Sequence, residues 1–188
     1  VHVLAEEVTE RRRSERERER LLDAERSARA RTEQLQVFTA ALAAARTRSE
    51  VARAAVESGC HAVGTTKGKL YLIEQGATQS QALVLAHGTG YAPALLEQLR
   101  RIPNTAQTAG GEAIARRCAI HVENRAEFAA RYPLVADVVE PQELSAVVAH
   151  PLLTGSGPKA KVLGFLAFDF EHDRTLDADE KRFVAALA

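Results

Sequence analysis

Lys161-Val162-Leu163-Gly164-Phe165-Leu166-Ala167-Phe168-Asp169-Phe170 is the stretch on which the fold turns. It is almost continuously apolar, rich in aromatic and branched side chains, and well short of the roughly 20 residues that span a bilayer. A second apolar run, residues 144–153, precedes it, and Gly155-Ser156-Gly157-Pro158 stands between them. Two such runs about a Gly/Ser/Pro tip predict a β-hairpin. Their lack of polar alternation predicts that both faces of the sheet are covered.

Outward from that hairpin the chain divides by composition. Apolar residues make up 46% and charged residues 27% of the 188, so part of the chain must close around a core. Lysine plus arginine equals aspartate plus glutamate, 25 each, which argues against a general polyanion or nucleic-acid binder. Two cysteines, Cys60 and Cys118, with no secretory leader and no long apolar span predict a reducing, cytoplasmic setting without a disulfide framework or membrane insertion. The absence of methionine, including at position 1, is what an excised fragment would show.

Residues 1–34 carry nine basic and nine acidic side chains and no aromatic one, and from Leu35 onward the composition turns globular. Val1-His2-Val3-Leu4-Ala5 reads as the last turn of a strand, followed by a charged helix. With Leu21 at heptad position a, the a row continues through Ala28, Leu35 and Leu42, and the d row holds Ala24, Arg31, Phe38 and Ala45. In a parallel dimer Arg20 would meet Glu25 of the partner helix. Residues 13–34 are therefore expected to be a coiled-coil linker, with Leu21, Ala24, Ala28, Leu35, Phe38 and Leu42 at the interface of a parallel homodimer; an inert helical spacer is the alternative.

Beyond the linker the elements follow from local chemistry. Thr47-Arg48-Ser49-Glu50 is a capping box that opens a second helix, with Gly59 expected to stop it. Residues 69–73 and 82–87 read as antiparallel strands about a turn at 74–76. Pro93 starts a short helix, Pro103 breaks the pattern, and Thr108-Ala109-Gly110-Gly111 opens another helix. A short strand over 119–122 and a helical turn capped by Asn124 come next. After the hairpin, Asp177-Ala178-Asp179-Glu180 caps a final helix. The expected class is α+β: an antiparallel sheet flanked by helices, with a long amino-terminal helix.

Two resemblances rest on these residues. Val3-Leu4-Ala5-Glu6-Glu7-Val8-Thr9-Glu10-Arg11 is similar to the end of a PAS domain, with Glu7 where that family usually has aspartate, and implies a PAS remnant over residues 1–12. Gly110-Gly111-Glu112-Ala113-Ile114, Pro151-Leu152-Leu153 and Val162-Leu163-Gly164-Phe165-Leu166-Ala167-Phe168, in that order, resemble a GAF domain over residues 35–188. The resemblance implies a GAF-type sensor from a bacterial multidomain signalling protein of the sensor histidine kinase type, in which a small molecule sits between the sheet and the short helices. Leu72, His87, Tyr91, Ile114, Cys118, His121, Val148 and His150 are the wall residues it suggests.

The known ligands of that family can be tested against the residues. The cyclic-nucleotide signature is broken, since Arg125 follows Asn124 and Thr175 stands where a phenylalanine precedes Asp179-Glu180. Cys60-His61 has the dipeptide of a bilin attachment site in the wrong region. Haem ligation is kept open by His87, His121 and His150. No pair of Cys or His residues has zinc-site spacing, and two cysteines are a poor match to the methionine sulfoxide reductases of the family. The sequence names no cofactor and carries no catalytic motif, so no enzyme is expected here. The reading is a regulatory domain whose partners are a second copy, a small molecule and an output domain outside the chain. The alternatives are a ligand-free dimerisation module and a redox sensor using Cys118 or haem.

Overall fold

The computed structural model describes residues 2–74, 82–135, 144–155, 157 and 160–188, with side chains from residue 13 onward apart from residue 14. The chain forms two units, residues 1–36 and 37–188. Helix α1 runs His2–Ala44, so the opening residues, expected to end a strand, are helical instead. The reason is compositional: no glycine or proline interrupts the chain before residue 45, and strong helix formers dominate. Within the first unit Arg29 pairs with Glu33 and Arg26 with Asp23, at 3.1 and 3.7 Å. Leu21 is 63% exposed, and Ala24 and Ala28 are exposed with it. Leu35 and Leu42 are half-buried, while Phe38, assigned to the same seam, is 4% exposed and belongs to the core of its own unit. Leu4 and Val8 lie outside the described side chains.

The second unit is a six-stranded antiparallel sheet with helices on both faces. Its elements are α2 (Arg48–Val63), β1 (Lys67–Glu74), β2 (Ala82–Thr89), α3 (Pro93–Gln98), β3 (Arg101–Pro103) and α4 (Ala109–Arg116). They continue with β4 (Ile120–Val122), α5 (Arg125–Arg131), β5 (Ala146–Thr154), β6 (Lys161–Phe170) and α6 (Ala178–Ala185). The strand order is β3-β2-β1-β6-β5-β4, so the hairpin of β5 and β6 joins the first strand through β1–β6. Three of the expected caps form: Thr47 accepts from Glu50 N–H, Asn124 from Glu127 N–H, and Asp177 from Glu180 N–H. The turn at 75–76 and positions 156 and 158 of the hairpin tip lie outside the described residues.

Helix α2 covers one face of the sheet and α4 the other. Gly59 does not end α2. A Cβ built there stands 2.5 Å from Phe168 Cζ, so this glycine lets the helix lie close on β6. The stop is Gly64, left-handed at φ 72°, whose N–H closes the last turn. Strand β3 also replaces the expected break: Pro103 sits on the sheet edge, where a missing N–H is tolerated. Among the described residues no helix is long and apolar enough to cross a membrane.

Candidate functional site

Alternation along β6 and β1 decides what each face presents. Phe165, Ala167 and Asp169 point with Tyr71 and Lys69 toward α4, whereas Gly68 and Phe168 meet α2. On the α4 side the sheet, α4, and the segments on either side of β3 enclose a cavity of about 360 Å³. Its walls are largely apolar: Tyr71 and Phe165 stack with centroids 5.1 Å apart, and Leu99, Ile102, Phe128 and Val147 close around them. Tyr71 Oη donates to Leu99 O at 2.7 Å and so ties the ring to the end of α3. Burial, and then the charge of Asp169, raise this phenol above its ordinary range, which keeps it a neutral donor.

Gly110 and Gly111 place α4 over this cavity. Side chains there would collide with the Phe165 ring and with Thr105 O, respectively. The Gly111 N–H is taken by the Thr108 hydroxyl at 3.0 Å, so this helix start is capped from within.

The polar end of the cavity is built from β1, β6 and the loop that follows β2. Asp169 is 1% exposed, and its Oδ2 accepts from both Lys69 Nζ and Tyr91 Oη. Lys69 Nζ also donates to Tyr91 Oη at 3.2 Å and lies 5.2 Å from that ring's centroid. Burial first, then the neighbouring Asp169 carboxylate, hold the Tyr91 phenol well above its usual range. The result is a net-neutral cluster at the edge of an apolar space.

Behind α4 a second cluster locks the helix. Glu112 is buried and accepts from Arg131 Nε and Nη2 at 3.1 and 2.9 Å, from Tyr132 Oη at 2.6 Å, and pairs with Arg116 at 2.9 Å. The Arg131 hydrogen bonds are the main cause that holds this carboxyl below its ordinary range, against the opposing effect of burial. By fixing α5 to α4 the cluster positions Phe128, which lines the cavity.

None of the eight residues suggested from sequence lines this cavity. Tyr91 comes nearest, bonded to two residues that do. Ile114 packs against the same core from α4, and Cys118 is exposed. Leu72 lies on β1 between Tyr71 and Ile73 and points the other way. A bulge also reverses His87: Leu70 pairs with His87 but Tyr71 with Leu85, so Ala86 is the extra residue. His87 Nε2 then stands 3.2 Å from Glu57 Oε1 of α2, without the alignment of a hydrogen bond. His121 pairs with Val148 across β4 and β5, and its ring meets His150 edge-on at 6.0 Å, alternate in β5 to Val147 and Ala149 of the cavity-side core. Cys60 is buried in α2, where burial above all raises its thiol to about 12. Among the described residues no group of three or more His, Cys, Asp or Glu could hold a metal.

Sequence reasoning missed Lys69, Tyr71, Phe165 and Asp169. One signal was present: Asp169 is the lone acid within the apolar run of β6, and a buried acid needs a partner.

No family model and no curated protein matches this sequence. Solved structures do match its architecture. The GAF domain of a phosphoenolpyruvate-protein phosphotransferase from Coxiella burnetii superposes with TM-score 0.67 at 18% identity, covering 85% of this chain and 89% of that one. The corresponding domain from Acinetobacter gives TM-score 0.63 at 12% identity, covering 84% and 91%. The free methionine-R-sulfoxide reductase of Neisseria meningitidis, solved with its substrate, gives 0.61 at 21%, covering 84% and 83%. At these identities the likeness speaks for architecture, and on that basis the chain has the GAF-domain fold.

Proposed function

We propose that this chain is a regulatory sensor domain that binds a small, mainly apolar molecule and passes its occupancy to a paired helical linker. The cavity between the sheet and α4 carries the reading. Its volume, about 360 Å³, falls in the range of roughly 300–1,000 Å³ typical of small-molecule sites, and its apolar walls end in one fixed polar cluster. Because Lys69 and Asp169 neutralise each other, the occupant is an uncharged body with a hydrogen-bonding group directed at that end. GAF domains of phosphotransferases share the fold, which supports a regulatory role. A methionine sulfoxide reductase shares it too. Against that chemistry stands Cys60, buried with its thiol raised to about 12, which leaves exposed Cys118 without a paired reactive thiol nearby in sequence.

The relay half of the proposal rests on α1. Leu21, Ala24 and Ala28 are exposed at heptad spacing, and a second copy in parallel would cover them. Ligand occupancy need shift the pairing of two such helices by only a few kcal/mol to be read by an output domain outside this chain. Residues 1–12 are assigned to a preceding PAS domain, and the setting to the cytoplasm.

Native mass spectrometry of protein taken directly from cells tests both halves, showing any retained molecule and the number of subunits. A mass retained by wild type and lost in Ala167→Leu, which fills the cavity from its floor, supports the sensor. No retained mass, and no ligand in a broad thermal-shift screen whose effect Ala167→Leu abolishes, overturns it in favour of a ligand-free module. Cysteines placed at Leu21 and Ala24 that fail to crosslink remove the paired linker.

A further inference from the structure

On the sheet face opposite the cavity, two histidines meet with no partner for their inner nitrogens. His150 is 7% exposed in the middle of β5, and His121 lies beside it on β4. Their rings are edge-on at 6.0 Å. Among the described residues His121 Nδ1 and His150 Nε2 make no hydrogen bond. Buried polar atoms are rarely left so, and burial favours the neutral form of both rings.

The charges around the pair come from named elements. Helix α6 presents Lys181, which disfavours a second positive charge at His121, and Glu123, just after β4, favours one. Glu123 is itself committed to the segment leading into α6: its backbone oxygen accepts from Arg174 N–H at 2.8 Å and its Oε2 from the Thr175 hydroxyl at 3.0 Å. At His150 burial acts first, and among the described residues the charge that adds to it is that of His121.

From this juxtaposition we infer that the His121–His150 pair makes the seating of the carboxy-terminal helix α6 sensitive to acid. A proton on either ring places a cation beside the other histidine and, at His121, within the field of Lys181. The structure relieves this by lifting α6 and the 171–177 segment away from β4, which lets water reach both rings. Burial lowers both histidines, His150 from about 6.5 to about 4. The unfolded or unseated state therefore binds more protons throughout that interval. The contribution of His150 is complete above about pH 6.5 and is lost as pH falls toward about 4, and that of His121 is lost in the same direction.

Hydrogen exchange followed by mass spectrometry from pH 7.5 to 5, corrected for the intrinsic pH dependence of exchange, tests the inference in the full chain. Amides of α6 are expected to lose at least tenfold more protection than those of α2 over this range, and His121→Gln/His150→Gln is expected to flatten the difference. Equal loss in both helices, or an unchanged difference in the double variant, overturns it. Should the double variant not fold, imidazole titration of wild type by NMR decides: both rings must titrate below 6.5, and either one titrating at or above that value overturns the inference.

Discussion

Lys69 and Asp169, a hundred residues apart, form an ion pair at the rim of an apolar cavity because β1 and β6 are hydrogen-bonded neighbours. Lys67 is the direct partner of Asp169 in the ladder, so Lys69 reaches it along the diagonal. Asp169 is almost wholly buried, whereas the Lys69 side chain keeps 22% exposure, so the two ends of the pair are not equivalent.

That asymmetry fixes the order of two substitutions. Lys69→Met strands a buried carboxylate and is expected to cost about 3–5 kcal/mol. Asp169→Asn leaves an acceptor for Tyr91 and an ammonium that can turn to water, and is expected to cost about 1–3 kcal/mol. The double change Lys69→Met/Asp169→Asn removes the stranded charge and should recover much of the larger loss. Urea unfolding of all four proteins as a double-mutant cycle reads this out. A smaller loss for Lys69→Met than for Asp169→Asn would refute the burial argument.

Glu112 gives a stability effect with a definite pH dependence. Its carboxyl is held low by Arg131, so its contribution is present above about pH 4.5 and disappears as pH falls through the lowered folded value. Glu112→Gln is expected to lose about 1–3 kcal/mol at pH 7 and progressively less in acid. Denaturation of the two proteins at pH 7 and pH 3.5 should therefore give a difference that shrinks, and a constant difference would contradict the ion-pair account.

What the sequence revealed follows the range of the interactions. The caps at Thr47, Asn124 and Asp177 and the β5–β6 hairpin depend on neighbours within a few residues, and all were legible. The cavity depends on which alternate residues of four strands share a face, and that phase is set by pairings across the chain. One bulge at Ala86 was enough to send His87 to the α2 side. The meeting of Lys69, Tyr91 and Asp169 needs the β1–β6 pairing, which joins the two ends of the globular unit and leaves no local mark. Gly59 shows the same limit: its spacing suits a helix stop, but only the position of Phe168 explains it.

Gly59 and Gly64 should accordingly respond differently to alanine. At Gly59 the intrinsic preference for alanine in a helix, about 1 kcal/mol, is opposed by collision with the Phe168 ring, and overpacking of about 1–3 kcal/mol is expected to win. At Gly64 nothing lies within 4 Å of a new Cβ, and the cost is the left-handed backbone alone, about 1–2 kcal/mol. Phe168→Leu should rescue Gly59→Ala and leave Gly64→Ala unchanged. Melting of the paired variants separates packing from backbone strain.

The two cysteines should differ in reactivity for reasons fixed by the fold. Cys60 lies on the inner face of α2 against Gly68, where a Cβ would approach its sulfur to 2.5 Å, and burial and the charges of Asp169 and Glu57 raise its thiol to about 12. Since the thiolate is the reactive form, Cys60 is closed both by access and by protonation, whereas Cys118 stands exposed after α4. Treatment of the native protein with a maleimide at pH 7 is expected to add one equivalent quickly, at Cys118, and a second only in denaturant. Peptide mapping assigns the site. Rapid labelling at Cys60 would mean that α2 lifts from β1 in the native state, and it would return the thiol-sensor reading to contention. Labelling confined to Cys118, with Cys118→Ser leaving ligand retention and subunit number intact, would place the signalling chemistry in the cavity.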